Sequence, residues 1–203
     1  MKKLVALAAL AFVLSPVAAI AEEGPLLVRL RGVYISPAGK SDAFGAVPAD
    51  AITVSTKTIP EVDFSYFFTK NFSAELILTY PQKLNVSLLG TEIGSFKALP
   101  PTLTAQWHFI PDGVFNPYVG IGVNLTLISG VDLAGGALDL SSSSVGLAGQ
   151  VGFDIRVAEQ VYLNGDVKYA QILADVKDAA SGTKITTVKV DPWLIGLGIG
   201  YRF

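Results

Sequence analysis

The chain ends in Trp193-Leu194-Ile195-Gly196-Leu197-Gly198-Ile199-Gly200-Tyr201-Arg202-Phe203, and this stretch decides the fold class. Every second residue from Trp193 onward is bulky and apolar, and the residues between them are mostly glycine. A two-residue period places successive side chains on opposite faces of a β-strand. The stretch therefore predicts a strand with one apolar face, while its glycines leave room for bulky neighbours on the other face.

Seven further segments repeat this alternation. In the first of them, Val28 and Leu30 share an apolar face, and Arg29 and Arg31 share the opposite one. The eight predicted strands are Leu26–Ser36, Ile59–Phe68, Phe72–Tyr80, a fourth strand that ends at Phe109, Tyr118–Ile128, Ser144–Ile155, Val161–Ala170 and Trp193–Phe203.

The composition points to a membrane without pointing to membrane helices. Hydrophobic residues make up 51% of the chain and the mean hydropathy is +0.50, yet no apolar run of 18 residues follows the N-terminal segment. The apolar faces carry almost no polar groups, which a soluble barrel would need there. We therefore predict an all-β fold: an eight-stranded antiparallel transmembrane β-barrel.

The connections between the predicted strands alternate in length. Those at 69–71, 111–116 and 156–160 are short, and the intervening ones are much longer. Short periplasmic turns and long extracellular loops are typical of outer-membrane barrels. The long connections are 37–58, 81–95, 129–143 and 171–185.

The N-terminus has the features of an export signal. Lys2 and Lys3 precede the apolar stretch Leu4–Leu14, and Ala19-Ile20-Ala21 fits the small-x-small cleavage rule. We expect residues 1–21 to be a cleaved signal peptide, residues 22–203 to be the barrel domain, and the destination to be the outer membrane. The formal net charge is −2 and no basic run occurs, so we expect no nucleic-acid partner.

Four motifs together resemble the OmpW family, and the resemblance covers nearly all of the exported part. It implies an eight-stranded barrel for passive uptake of small hydrophobic molecules, related to the alkane-uptake AlkL branch, with outer-membrane lipids and such solutes as partners. Phe203 resembles the terminal aromatic residue that the barrel-assembly machinery reads. The motifs are Leu99-Pro100-Pro101-Thr102-Leu103 before Ala105-Gln106-Trp107, Asn116-Pro117-Tyr118-Val119-Gly120-Ile121-Gly122, Leu163-Asn164-Gly165-Asp166-Val167-Lys168-Tyr169, and Val190-Asp191-Pro192-Trp193 with Gly200-Tyr201-Arg202-Phe203.

Inward-facing polar residues concentrate in the periplasmic half of the predicted barrel. Both signs of charge occur, so the side chains can pair across an interior that is narrow in eight-stranded barrels. We expect a buried polar plug, and the alternative is a polar conduction path. The predicted plug consists of Arg29, Arg31, Glu75, Gln106, Asp154, Asn164, Asp166 and Arg202.

Toward the outside, the inward-facing side chains become less polar, which predicts an outward-facing pocket above the plug. Consecutive prolines interrupt ladder hydrogen bonds, so we expect a lateral exit between the third and fourth strands. The alternative is a bend that only shapes the rim. Lys168 either pairs with Asp166 or Glu75, or it points into the pocket. The predicted pocket and exit residues are Ile77, Thr79, Pro81, Leu99, Pro100, Pro101 and Thr126.

The sequence offers little for catalysis or metal binding. The only histidine is His108 beside a periplasmic turn, and the serine run 141–144 lies at the opposite end. Cysteine is absent, and Asp132 and Asp139 alone are weak evidence for a cation. We expect no enzyme, no cofactor and no metal. The predicted function is passive uptake of small hydrophobic or amphipathic molecules by pocket and lateral release; the alternative is a non-transporting structural or partner-binding barrel.

Overall fold

The computed structural model describes residues 24–203, which form one closed sheet and a short 3-10 turn at Ala134–Gly136. The predicted signal peptide lies outside the described residues. The strand segments are β1 (Leu26–Ser36), β2 (Lys40–Ser41), β3 (Ile52–Val54), β4 (Lys57–Phe67), β5 (Phe72–Leu78), β6 (Gln82–Leu88), β7 (Thr91–Leu99), β8 (Thr102–His108), β9 (Phe115–Leu133), β10 (Leu138–Leu140), β11 (Ser143–Arg156), β12 (Val161–Ala170), β13 (Leu173–Asp178), β14 (Lys184–Lys189) and β15 (Trp193–Arg202).

These segments build eight barrel strands. The fifth, β9, runs unbroken, and each of the others joins two consecutive segments: β1 with β2, β3 with β4, β5 with β6, β7 with β8, β10 with β11, β12 with β13, and β14 with β15. The barrel closes where the first and last strands pair antiparallel, from Leu27 with Arg202 to Ser36 with Trp193. The predicted eight-stranded antiparallel barrel is confirmed.

The four long connections lie at one end of the barrel, as predicted, but they are largely folded as strands. Within 81–95, for example, Gln82 and Leu84 are buried while Lys83 between them is exposed, so the two-residue period continues. β6 and β7 are joined by the two-residue turn Leu89-Gly90, whose positive φ angles suit a tight hairpin. The expected loops therefore continue the barrel wall, and we call this part, formed mainly by residues 37–58, 81–95, 129–143 and 171–185, the extension.

The two faces of the wall have opposite chemistry. Along β15, Ile195, Leu197 and Ile199 are exposed, whereas on β1 Arg29 and Arg31 are buried. An apolar exterior around a polar interior is the arrangement that a lipid bilayer requires. No helix within residues 24–203 is long and apolar enough to cross a membrane.

Aromatic residues border the apolar exterior at two heights, as expected for membrane interfaces. Tyr169 and Trp193 lie 5.3 Å apart (ring centroids) at the end near the extension, and Tyr201 and Phe203 lie 4.8 Å apart at the opposite end. The extension therefore stands outside the membrane. Phe203 is exposed, and its recognition by the assembly machinery stays a prediction.

The close approach of β8 and β9 predicts a glycine requirement. A Cβ on Gly122 would lie 2.0 Å from the Leu103 carbonyl oxygen, whereas one on Gly149 would meet nothing within 4 Å. We expect Gly122→Val to destabilise the barrel by roughly 1–3 kcal/mol or more through overpacking, and Gly149→Val to be tolerated. Urea unfolding in lipid vesicles measures both, and equal stability of the two variants would contradict the expectation.

Candidate functional site: an apolar chamber above a buried ion network

Arg29 is the centre of a charge network that crosses the barrel interior. Strand β1 directs its fully buried side chain inward. Its Nη2 lies 2.7 Å from Asp154 Oδ2, and its Nη1 lies 3.0 Å from Asp63 Oδ1. Nη1 also donates to Ser65 Oγ at 2.7 Å and lies 3.3 Å from Glu75 Oε1. One guanidinium thus joins side chains from four barrel strands.

Arg31, two residues further along β1, repeats this arrangement nearer to the extension. Its Nη2 lies 2.7 Å from Glu61 Oε1, its Nε 2.9 Å from Asp63 Oδ2, and its Nη1 3.1 Å from Asp166 Oδ2. Asp63 therefore contacts both guanidinium groups. A planar guanidinium with five donors is suited to such multiple carboxylate contacts.

Lys168 completes the upper surface of the network. Its Nζ lies 3.2 Å from Glu61 Oε1 and 3.8 Å from Asp166 Oδ2. The predicted pairing with Asp166 is present, but the shorter contact is to Glu61 rather than to Glu75. In total three cations face five carboxyl groups, and all eight residues are buried: Arg29, Arg31, Lys168, Glu61, Asp63, Glu75, Asp154 and Asp166.

Most of the predicted plug residues meet in this network. Asn164 Nδ2 donates to Asp154 Oδ1 at 3.0 Å, and Gln150, which was not predicted, donates to Glu75 Oε2 at 2.8 Å. Arg202 lies apart, at the periplasmic rim, where its Nε donates to the Gly24 carbonyl oxygen at 2.9 Å. Its guanidinium also lies 4.1 Å from the centre of the Phe67 ring.

Two network members, Glu61 and Asp63, were left out of the predicted plug although their sequence parity is inward. Their alternation with Val62 and Phe64 was the available signal. The height of a residue within the barrel depends on strand tilt and register, which cannot be read from the sequence. The alternation therefore predicts which side chains face inward more reliably than it predicts which of them lie at the same height.

The sequence analysis weighed only the serines 141–144 as partners of His108, and the structure places a different serine beside it. Ser73 Oγ lies 3.2 Å from His108 Nε2, and Asn116 Nδ2 lies 3.1 Å from its Nδ1. Ser73 has inward parity on the strand that pairs with β8, so register brings the two together. Ser73 and His108 are both fully buried. Within the described residues, no acidic or histidine cluster could hold a metal ion.

Above the network the interior is apolar. A narrow cavity in the extension is lined entirely by apolar side chains, including Ile52, Val86, Phe96, Leu133 and Val190. The sequence analysis did not predict this apolar cluster of the extension. Most of its residues lie on strands that the sequence analysis had assigned to loops.

A second, partly open cavity lies between this apolar space and the network. Phe96 and Val190 line both cavities, so the two spaces are adjacent. Glu61 and Lys168, paired with each other, lie at the lower end of the second cavity. We call the two cavities together the chamber and the ion network its floor.

The chamber wall is interrupted between the third and fourth barrel strands. Ile77 pairs with Thr102 below the interruption, and Gln82 pairs with Ala98 above it. The four residues after Ile77 and the three residues after Ala98 have no backbone hydrogen bond to each other within the described chain. A ladder gap therefore exists at the predicted place.

The consecutive prolines open this gap on one side only. Leu99 pairs with Leu127, and the Leu125 N–H donates to the Pro101 carbonyl oxygen at 3.0 Å, so pairing with β9 continues in register. Backbone groups of successive strand residues point to opposite sides. Pro100 therefore faces the third strand, and it has no N–H to donate there.

The third strand is also separated from the second. Val62 pairs with Leu78 below, and Val54 pairs with Val86 above, in the same register. Between these rungs one backbone hydrogen bond remains in the described chain, next to the upper rung. The short piece of the third strand between β5 and β6 thus lacks most ladder bonds on both sides.

Side chains hold this piece in place instead. Thr79 Oγ1 donates to the Pro60 carbonyl oxygen at 3.0 Å, and Gln82 Nε2 donates to the Tyr80 carbonyl oxygen at 2.9 Å. Gln82 is buried and lines the chamber, and its Oε1 has no hydrogen-bond partner within the described chain. Gln82, which sequence reasoning missed, is the contact between the chamber and the gap.

The predicted exit residues occupy different places around this gap. Thr79, Pro100 and Thr126 line the chamber, whereas Pro81 and Leu99 border the gap without lining it. Ile77 is buried on the last paired rung below it.

Fold and site together define a class: an outer-membrane β-barrel of eight strands with a buried ion network in its lower interior and apolar cavities above it. The OmpW family model matches residues 22–203, and the chain belongs to this family.

Known proteins agree with this assignment. The chain is 41% identical to the uncharacterized outer-membrane protein y4mB of Sinorhizobium fredii, over 97% of this chain and 90% of that one. It is 28% identical to outer membrane protein AlkL of Ectopseudomonas oleovorans, over 78% and 72%. The crystal structure of OprG from Pseudomonas aeruginosa is similar with a TM-score of 0.74 at 30% identity, over 89% and 96% of the chains.

The network predicts a strong dependence on Arg29. Replacing Arg29 with Gln removes the cation paired with Asp154 and leaves Asp63 and Glu75 to Arg31 alone, and breaking a buried pair costs about 3–5 kcal/mol. The matched change Lys70→Gln affects an exposed pair with Asp112, which contributes at most about 1 kcal/mol. Unfolding in lipid vesicles compares the two variants, and a similar loss in both would contradict the central role of Arg29.

Proposed function

We propose that the barrel mediates passive entry of small hydrophobic or amphipathic molecules, which enter the chamber from outside and leave sideways through the ladder gap into the membrane. The observation that carries this proposal is the coincidence of a closed floor and an unpaired wall. Paired Glu61 and Lys168 lie at the lower end of the cavity whose side is bordered by Thr79 and Pro100.

A straight path through the barrel is unfavourable for such molecules. Below the chamber, the buried side chains of Arg29 and Arg31 contact carboxylates on several strands. Separating a buried ion pair costs about 3–5 kcal/mol, and an apolar solute offers no compensating contact. The floor also argues against free ion conduction.

A sideways path lowers the free energy of an apolar solute. Leu78 and Tyr80 are exposed beside the gap on the lipid-facing surface. Moving one methylene group from water into hydrocarbon contributes about 0.8 kcal/mol, so a chain of several methylenes that comes from the water outside has a much lower free energy once it reaches the lipid. No energy source or catalytic group is needed, and we assign no enzymatic role to the buried Ser73–His108 pair.

Closing the gap should slow uptake. In the double variant Pro100→Val, Pro101→Val, an N–H at position 100 can pair with the third strand. One added ladder bond of about 1 kcal/mol would favour the closed wall roughly fivefold. Entry of radiolabelled dodecane into cells lacking their own OmpW-family protein measures this.

Pro111→Val, in a periplasmic turn away from the gap, is the control and should leave uptake unchanged. If cells with and without the wild-type protein take up several apolar solutes equally, the barrel is a structural or partner-binding one.

Loosening the gap should have the opposite effect. Gln82→Leu removes the hydrogen bond that holds the Tyr80 carbonyl, so we expect dodecane uptake to rise by about fivefold, corresponding to one hydrogen bond. Gln171→Leu, an exposed glutamine on the seventh strand, serves as the control. Unchanged or slower uptake in Gln82→Leu would argue against this side chain as the restraint on opening.

A further inference from the structure

Three lysines surround the ladder gap on the outside of the barrel. Lys83 on β6 and Lys97 on β7 are exposed and lie directly opposite each other in the ladder. Lys57, at the start of β4 on the neighbouring strand, donates from Nζ to the Lys83 carbonyl oxygen at 3.1 Å. Three ammonium groups thus come from three adjacent barrel strands. We call them the lysine cluster.

The barrel itself leaves this charge uncompensated. Like charges directly opposite each other destabilise a strand pair, and neither Lys83 nor Lys97 forms an ion pair with any residue in 24–203. Other lysines of the extension, by contrast, form ion pairs with carboxylates. On β14, Lys184 lies 2.8 Å from Asp175 and Lys189 lies 3.0 Å from Asp42.

The cluster lies at the height of lipid headgroups. Lys83 follows the exposed interfacial Tyr80 by three residues, about 10 Å of strand. Lys97 stands two residues beyond Leu99, which borders the gap. Below both, the surface is apolar and lipid-facing. A cation cluster here meets the phosphates of the outer leaflet before any other anion of the membrane.

We propose that Lys57, Lys83 and Lys97 bind the phosphate of an outer-leaflet lipid and thereby hold its acyl chains against the ladder gap. Ammonium–phosphate contacts are charge-assisted hydrogen bonds, and each lysine near an anionic surface contributes roughly fivefold in affinity. The bound lipid is a neighbour of the gap on its membrane side. This binding does not depend on whether solutes pass.

The test compares two double variants with the same change in net charge. Lys83→Gln, Lys97→Gln removes the cluster, whereas Lys184→Gln, Lys189→Gln removes two lysines that have carboxylate partners. Binding of diphosphoryl lipid A to each purified protein in neutral phosphocholine micelles is measured by native mass spectrometry. Each variant is first checked for folding by its heat-modifiable electrophoretic mobility.

We expect the cluster variant to bind lipid A roughly 25-fold more weakly than wild type, and the control variant to bind within about twofold of wild type. Removal of both phosphates from the lipid should weaken binding to the wild type by a similar factor. Equal weakening in both double variants would show a long-range charge effect and overturn the proposal. So would undiminished binding of the dephosphorylated lipid, or inorganic phosphate binding as tightly as lipid A.

Discussion

Arg29 and Arg31 place two guanidinium groups in an interior that is packed with side chains. Because the groups are buried, each must be paired with carboxylates inside the barrel. Their carboxylates come from four other barrel strands, which carry Asp63, Glu75, Asp154 and Asp166 respectively, with Glu61 beside Asp63. A slip of one residue in any of these strands would turn a charge toward lipid. Charge pairing therefore fixes the register of the lower barrel as well as closing it.

This closed floor determines what the upper half can be. Because paired charges fill the lower interior, the space above is a chamber with an apolar lining and one polar end. The extension gives that chamber walls outside the membrane, since the strands continue beyond the aromatic border instead of ending in loops.

Alternation made the membrane barrel predictable, because lipid demands an apolar face on every strand. It also placed Arg29, Arg31, Glu75 and Asp154 inside correctly. The rest depended on which strands meet at which height. The Ser73–His108 contact arises from pairing between β5 and β8, and the extension was missed because its inward residues, such as Leu84, alternate with polar residues that resemble loop composition. Gln82 carries no sequence signal beyond its parity.

From the sequence alone, the consecutive prolines could either form a gap or only bend the rim. The strand registers above and below the interruption help to distinguish these two alternatives. A rim bend would end the pairing, but the third strand pairs again above the interruption, with Val54 and Val86 in the same register as Val62 and Leu78. The wall is therefore continuous above and below a local opening. Side chains such as Gln82 replace the missing backbone bonds there. A hydrogen bond from one flexible side chain is easier to break than a cooperative ladder, so the wall is held less firmly here than above and below the interruption.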